Sequence, residues 1–391
     1  IFKGVTIGPN KEPIQVEQAT FPDISITSYS QGGAVCSIRK ASKPLKGTSQ
    51  EKNRTVQVDY VFLRSITRGI HGQDSRNVLF GFIHANLPST NSLISAVMAL
   101  ERPIMWGELV KIQKKLAQDD QEFPLIAQDY YSSHYGMVIA PDPCVVKIGS
   151  AHAGYGKIKC DHRSTFEDTK SIVALDGRYA TAEPFVDWDF DCRIQAIGPH
   201  LRVFRRTSAN WKGNVGHGSV LSDGEVTDQD RKWAATISKH ACGGLDIWGL
   251  DILHSKKTGK KFILELNDTA IGLVHKHAVE DMNHMKELVL VRMEEHFFPK
   301  NVNASSAASS SNASFIDVST ENGLPFSQQK MFELAIEEAK QHNLLAQAQL
   351  EQAVDTIVDV QQTNRLLKLS LGSLSLISLS FIAVLFYKQQ H

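Results

Sequence analysis

Over the first three hundred positions, apolar residues fall in short runs separated by polar turns, the pattern of a mixed α/β chain. Residues 14–16 and 59–63 read as strands and 75–84 as a helix, so the spacing predicts a doubly wound sheet over residues 1–95. Residues 40–55 are polar and read as an excursion loop. Further on, CVVKI at 144–148 is a β-branched strand carrying a lysine, and FILEL at 262–266 is an apolar strand carrying a glutamate. A polar hairpin, HSKKTGKK, brings the strand WGLDIL alongside the second of these. A body at 96–298 is therefore expected beside the N-terminal domain.

After Phe298 the pattern changes. Residues 301–314, NVNASSAASSSNAS, cannot bury a core and read as part of a linker over 299–327. A helix is expected over 328–367. Ile336, Asn343, Leu350, Ile357 and Asn364 fall at heptad position a, and Phe332, Ala339, Ala346, Ala353, Val360 and Leu367 at d. That is a short parallel coiled coil, or a lone amphipathic helix, since three alanines thin the seam. Residues 369–387 are uncharged and flanked by Arg365, Lys368 and Lys388. As a helix they extend roughly 28 Å at about 1.5 Å per residue, enough to cross a bilayer core. A buried soluble helix is the other reading, but it needs a host domain. The expectation is a C-terminal transmembrane anchor over 368–391, with the body on the cytosolic face of an intracellular membrane. The chain opens on Ile1 with no signal-like segment before the fold, so a fragment lacking the first strand of its N-terminal domain is expected.

Charge alters this picture little. Lysine plus arginine and aspartate plus glutamate both total 42, so no global field draws nucleic acid, and none is expected as a partner. Five cysteines without CxxC spacing read as reduced thiols. The fifteen histidines, His152 and the pair His275/His277 among them, show no ligand set at zinc spacing and read as structural or surface groups.

Candidate chemistry is local. Lys147 sits mid-strand, where an unpaired ammonium is costly, so an anion is expected nearby. The loop that follows holds Gly149, Gly154 and Gly156, whose backbone N–H groups could approach phosphate oxygens, and Lys157 closes it with a second charge. A plain turn with two surface lysines is the alternative, and neither GxxxxGK[ST] nor GxGxxG is present. Downstream, a strand ends in Glu183-Pro184-Phe185-Val186, where proline removes a ladder donor and leaves hinge groups free to read a base. Arg202, Arg205, Arg206 and Lys212 then crowd together beside Trp211 and Asn214, a polyphosphate clamp or a solvated basic strand. Period-two alternation puts Glu265 and Asn267 on one face, with Asp251 on the neighbouring strand. Together they make an oxygen-donor set suited to Mg²⁺ or Ca²⁺.

The order of strand lysine, glycine loop, EPF hinge, basic strand and Glu-x-Asn strand resembles the ATP-grasp fold. More narrowly, VVKIGSAHAGYGKIK, VALDGRYATAEPFVD, DCRIQAIG, RTSANWKGN and GGLDIW are similar to the central domain of the synapsins, ATP-binding phosphoproteins of synaptic vesicles. IQVEQATFPDISI and EFPLIAQDYYSSHYGM extend the resemblance to residues near the N-terminus, and it runs to about Met293. It implies a pre-ATP-grasp domain followed by an ATP-grasp domain, with ATP and Mg²⁺ or Ca²⁺ as ligands. By resemblance Lys147 meets the α/β-phosphates, while Ser150, His152, Ala153, Gly154, Tyr155, Gly156 and Lys157 form a lid. Glu183 and the Phe185 backbone face adenine, and Asp191 lies on the ribose side. Arg206 and Lys212 reach the terminal phosphates, and Asp251 and Glu265 ligate the cation, with Asn267 able to join. Arg102 stands where the family usually has a phosphate-contacting lysine, keeping charge but exchanging a point for a fork. RTSANWK is two residues shorter than the usual version, and Asp251 is shorter than the glutamate of calcium-regulated members.

Two functions follow. One is a vesicle-associated, self-associating scaffold tuned by ATP and a divalent cation, with homo-oligomers, a vesicle or other intracellular membrane and the cytoskeleton as partners. The other is an ATP-dependent carboxylate–amine ligase, since such ligases share these residue types.

Overall fold

The alternating pattern ISITS gives the strand Ile24–Ser28 its half-buried register. In the computed structural model that strand belongs to an N-terminal layer built mostly from neighbours in sequence. Residues 1–39, 53–68, 74–139, 142–151, 154–213 and 219–299 are described, with backbone alone at 275. The chain divides into two compact units, Ile1–Ser314 and Phe315–His391, and the described residues all lie in the first. The predicted helix over 328–367 and the apolar span at 369–387 therefore lie outside the described residues, as does nearly all of the 299–327 linker. Among the described residues, no helix is long and apolar enough to cross a membrane.

In the N-terminal layer β1 (Thr6–Ile7) pairs with β2 (Glu12–Pro13). Three antiparallel strands follow: β3 (Ile24–Ser28), β4 (Ala34–Ile38) and β5 (Arg54–Val58). β6 (Val61–Phe62) runs parallel to β7 (Ser89–Thr90), with α1 (Arg76–His84) between them in sequence. Val78, Leu79 and Phe82 of α1 pack on Cys36, Ile38, Val61 and Leu63. Gly81 permits the close approach, because a Cβ there would stand 2.6 Å from Ile26 Cγ2. The expected doubly wound sheet is corrected here. The three-stranded sheet is wholly antiparallel, the parallel pairing of β6 with β7 is two residues long, and residues 14–16 join no strand. Strands of alternating pattern linked through short or polar connections pair with their sequence neighbours, whereas a parallel sheet needs a crossover each time. Arg54 and Thr55, expected in a loop, belong to β5.

Two helices lead into the second part: α2 (Leu93–Met98), capped by Ser92 Oγ accepting from Ser95 N at 3.0 Å, and α3 (Arg102–Gln118). A four-stranded antiparallel sheet follows, in the order β10 (Lys157–Cys160), β9 (Cys144–Ile148), β11 (Ala180–Pro184), β8 (Asp129–Tyr131). One face of it, Cys144, Val146, Ile148, Ala180 and Ala182, packs under Phe166 and Val173 of α4 (Arg163–Asp176). The larger sheet has the order β14 (Val220–Gly224), β13 (His200–Thr207), β12 (Trp188–Ile197), β15 (Ile247–Ser255), β16 (Lys261–Asn267).

The two faces of that larger sheet divide the labour. On one, Ile194, Ala196, Trp248, Leu250 and Ile263 meet Met105, Leu109, Ile112 and Leu116 of α3. Trp233, Ala234 and Ile237 of α5 (Asp228–His240) complete this core. Spacings of three and four put each helix's apolar stripe on the sheet. On the opposite face, α6 (Ala278–Phe297) covers Ile197 and Ile247 with Met285 and Leu288. Most of the rest of that face, with Phe204 and Leu253 among the exceptions, is polar, and it carries the candidate site.

Candidate nucleotide and metal site

Register assembles the polar face. Opposed residues of antiparallel strands share a side. Asp191 stands opposite Arg206, Arg193 opposite Asp251, Asp251 opposite Glu265, and Gly249 opposite Asn267. A bulge after Asp251 shifts the ladder so that Ile252 meets Ile263. The resulting row is a chain of ion pairs. Arg206 Nη2 lies 2.7 Å from Asp191 Oδ2. Arg193 grips Asp251 with both arms, at 2.7 and 2.8 Å. Asn267 Nδ2 donates to Asp251 Oδ2 at 3.1 Å and more weakly to Gly249 O at 3.4 Å. Arg102, the first residue of α3, ties this row to the glycine loop. Its Nη1 donates to Glu265 Oε2 at 2.6 Å, its Nε to Ser150 O at 2.8 Å and its Nη2 to Ala151 O at 2.7 Å.

Charges follow the geometry. Burial opposes ionisation of Glu265, yet Arg102, Lys157 and Lys147 together hold its carboxyl well below the usual carboxylate range. Burial raises Asp191, with Arg206 pulling the other way. Asp251 drives the Arg193 guanidinium up.

Lys147 lies in the middle of β9 and is 2% exposed, and its expected anion is Glu183, whose Oε2 is 2.6 Å from Nζ. Burial, aided by Arg102 and Lys157 and opposed by Glu183, brings the lysine down to about 8. Lys157 and Thr181 face it from the flanking strands. Thr181 Oγ1 is buried and has no partner among the described residues, a polar atom left open beside the lysine.

The structure sorts the expected site residues. Arg102 joins Ser150 to Glu265, Lys147 pairs with Glu183, Asp191 with Arg206, and Asp251 with Arg193 and Asn267. Between β9 and β10 the loop closes through Ile148 N to Gly156 O at 2.8 Å, with Gly154 and Gly156 at φ 83° and 64°. Tyr155 is exposed, and His152, Ala153 and Asn214 lie outside the described residues. Lys212 stands over the Trp211 ring at 5.1 Å, and burial, with Lys157 second, lowers its pKa. Gly213 presses against the Asp191–Arg206 pair, since a Cβ there would lie 2.8 Å from Asp191 Oδ2.

Three expectations change. Phe185 N is not free at the hinge, because it donates to Pro143 O of the neighbouring segment at 2.9 Å. Its ring instead lies under Lys159 Nζ at 4.1 Å and edge-on to Trp211. Glu183 spends Oε2 on Lys147. Of the basic run, Arg202 is drawn off to Asp281 and Glu280 of α6, at 2.7 and 2.6 Å, and Arg205 stacks on the Phe190 ring at 3.4 Å. The sequence reading missed Arg193, although Asp191-x-Arg193 on a strand puts both side chains on one face.

The donors fit a hard divalent cation. Asp251 and Glu265 are directly opposed, Asn267 stands beside them, and all three offer oxygen. A carboxylate has roughly four acceptor positions, so neither is saturated by the N–H groups it now accepts.

The family description "Synapsin pre-ATP-grasp domain" matches residues 1–89, and "Synapsin, ATP binding domain" matches residues 91–295. The Drosophila melanogaster protein named synapsin is 30% identical over 288 residues, covering 72% of this chain and 27% of its own length, so this chain spans about a quarter of that relative. Among solved structures, the D-alanyl-alanine synthetase A of Vibrio cholerae aligns with TM-score 0.47 and 12% identity over 68% of this chain and 83% of its own. The macrocyclase MdnC of Microcystis aeruginosa, bound with precursor peptide MdnA, aligns with TM-score 0.46 and 11% identity over 69% and 88%. These are loose likenesses, whereas the two family matches together span most of the chain. The chain belongs to the synapsin family, with a pre-ATP-grasp domain followed by an ATP-binding domain of the ATP-grasp type.

Proposed function

We propose that this protein is a synapsin-like ATP-binding protein whose nucleotide- and cation-dependent conformation governs self-association at a vesicle membrane. ATP-grasp domains bind ATP with divalent metal ions. The observation that supports the reading most is Arg102, whose three donors join the glycine loop to Glu265, itself 163 positions beyond Arg102 in sequence. Phosphate-facing loop and cation-facing strand are thereby one structure. Lys147, Arg102, Arg206 and Lys212 would meet phosphate oxygens, and Asp251, Glu265 and Asn267 would hold the cation, Mg²⁺ or Ca²⁺. The cation would neutralise phosphate charge that the protein's own carboxylates would otherwise repel.

Among the described residues, Arg102, Lys147, Arg193 and Arg206 each now have a carboxylate partner. Binding therefore exchanges partners rather than filling a bare positive hole, which couples the nucleotide to the α3 N-terminus and the loop. Calorimetry of the full chain with ATP and each metal tests this. Lack of ATP binding with either ion would end the reading. ADP release with pooled carboxylates and amines, abolished in Glu265→Ala, would favour the ligase instead.

Membrane attachment through residues 369–387, supported by the uncharged apolar run there, together with homo-oligomers and a cytoskeletal partner, completes the proposal. Deletion of 369–391 should move the protein from the membrane pellet to the supernatant. A truncated form that still pellets would place attachment elsewhere.

A further inference from the structure

We propose that His200, His284 and Glu287 form a second metal site, for a borderline transition ion of the Zn²⁺ class, that ties α6 to the turn between β12 and β13. One ligand atom from each of the three lies within 4.8 Å of the others. The set is built from two distant segments. His200 opens β13, while His284 and Glu287 are one turn apart on α6, where positions three apart share a face. A tetrahedral ion with N and O ligands at about 2.0–2.2 Å holds them roughly 3.3–3.6 Å apart, so the set needs to close by on the order of 1 Å.

The imidazoles are now stacked, centroids 3.5 Å apart and planes 15° from parallel, so one ring must turn for both lone pairs to converge. His200 is exposed and has room to do so. A fourth ligand is at hand in Glu280, whose Oε1 is 3.7 Å from His284 Nε2.

A second observation points the same way. Ligating histidines usually donate their other ring N–H to a carboxylate or carbonyl, which fixes the tautomer. His284 Nδ1 is buried without a hydrogen-bond partner among the described residues, and so is Asp281 Oδ2, three positions earlier on the same helix. Donor and acceptor for that supporting bond are therefore both present and unspent. Arg202 already holds the other Asp281 oxygen at 2.7 Å. The trio rims a cavity of about 590 Å³ whose lining includes Leu245, Leu288 and Val291, so an ion arriving from solvent has access. Imidazole ligands favour Zn²⁺ over Mg²⁺, in contrast to the all-oxygen set Asp251, Glu265 and Asn267.

The test uses the untagged full chain, Zn²⁺ alone as probe, a chromophoric competing chelator and thermal melting. The parent should bind one equivalent of Zn²⁺ that His200→Ala/His284→Ala loses, with tenfold or greater weakening in Glu287→Gln. Zn²⁺ should raise the melting midpoint of the parent and not of the double variant, as expected for a ligand of the native state. Excess Mg²⁺ should leave the equivalent in place. Equal stoichiometry and equal melting shifts in parent, double variant and Glu287→Gln would overturn the proposal, as would displacement by Mg²⁺. If the double variant fails to show the parent's circular dichroism, Glu287→Gln, altered at an exposed side chain, decides alone.

Discussion

Lys147 Nζ lies 2.6 Å from Glu183 Oε2, and both side chains are almost wholly buried. A buried pair of this kind is a poor source of net stability but is costly to break, because the surviving charge has no solvent. Lys147→Met should destabilise the protein by about 3–5 kcal/mol, whereas Lys147→Met/Glu183→Gln should recover much of that. Chemical denaturation of the three proteins checks it. Equal losses in the single and double variants would mean the two groups do not depend on each other.

The same lysine sets a pH dependence. Burial brings it to about 8 in the folded protein from an ordinary 10.5. Between those values the unfolded chain binds a proton that the folded one does not, so this group's contribution to stability rises with pH across the window. ATP affinity should move oppositely, falling above about pH 8 as the phosphate-facing charge is lost. Calorimetry at pH 7 and 9.5 reads the second effect, and the slope should flatten in the double variant above.

Arg206 contributes a charge-assisted contact. Arg206→Ala should weaken ATP binding by about 1–3 kcal/mol, since it removes one strong donor group and leaves Asp191 facing the phosphates. Isothermal titration with saturating Mg²⁺ measures it, and unchanged affinity would remove Arg206 from the clamp.

Arg102 predicts a loop effect. An ammonium is a point charge without the planar fork, so Arg102→Lys cannot keep contacts to Ser150 O, Ala151 O and Glu265 together. Hydrogen exchange of the 149–156 amides should quicken in the variant, while exchange in α5 stays as it was.

Gly156 has φ 64°, and a Cβ there would stand 3.2 Å from Ile148 O. Gly156→Ala should cost about 1–2 kcal/mol in thermal stability, the usual penalty of a left-handed alanine, before any contact strain is added. A melting curve unchanged from the parent would show that the loop adjusts freely.

Much of the cleft was legible because strand periodicity is local. Glu265 and Asn267 two apart, and Asp251 one hairpin away, had to share a face whatever the rest of the chain did. The lysine in β9 announced a buried anion, because an apolar strand cannot keep an ammonium alone. Alternation shows which side chains share a face but not which strands pair, and β3, β4 and β5 pair in sequence order. That is why residues 1–95 formed an antiparallel sheet and not the doubly wound one.

Sequence by itself determined the chemical types, the faces they occupy and the family, since side-chain alternation and motif order need no knowledge of distant partners. Tertiary structure alone decided the partners: Glu183 for Lys147, Glu265 for Arg102, Arg193 for Asp251, and α6 for Arg202. It also brought His200 onto His284, which no spacing along the chain foretold. Coulomb energy and hydrogen bonding act over a few ångströms. Packing sets such separations between residues that may lie more than a hundred positions apart in the chain.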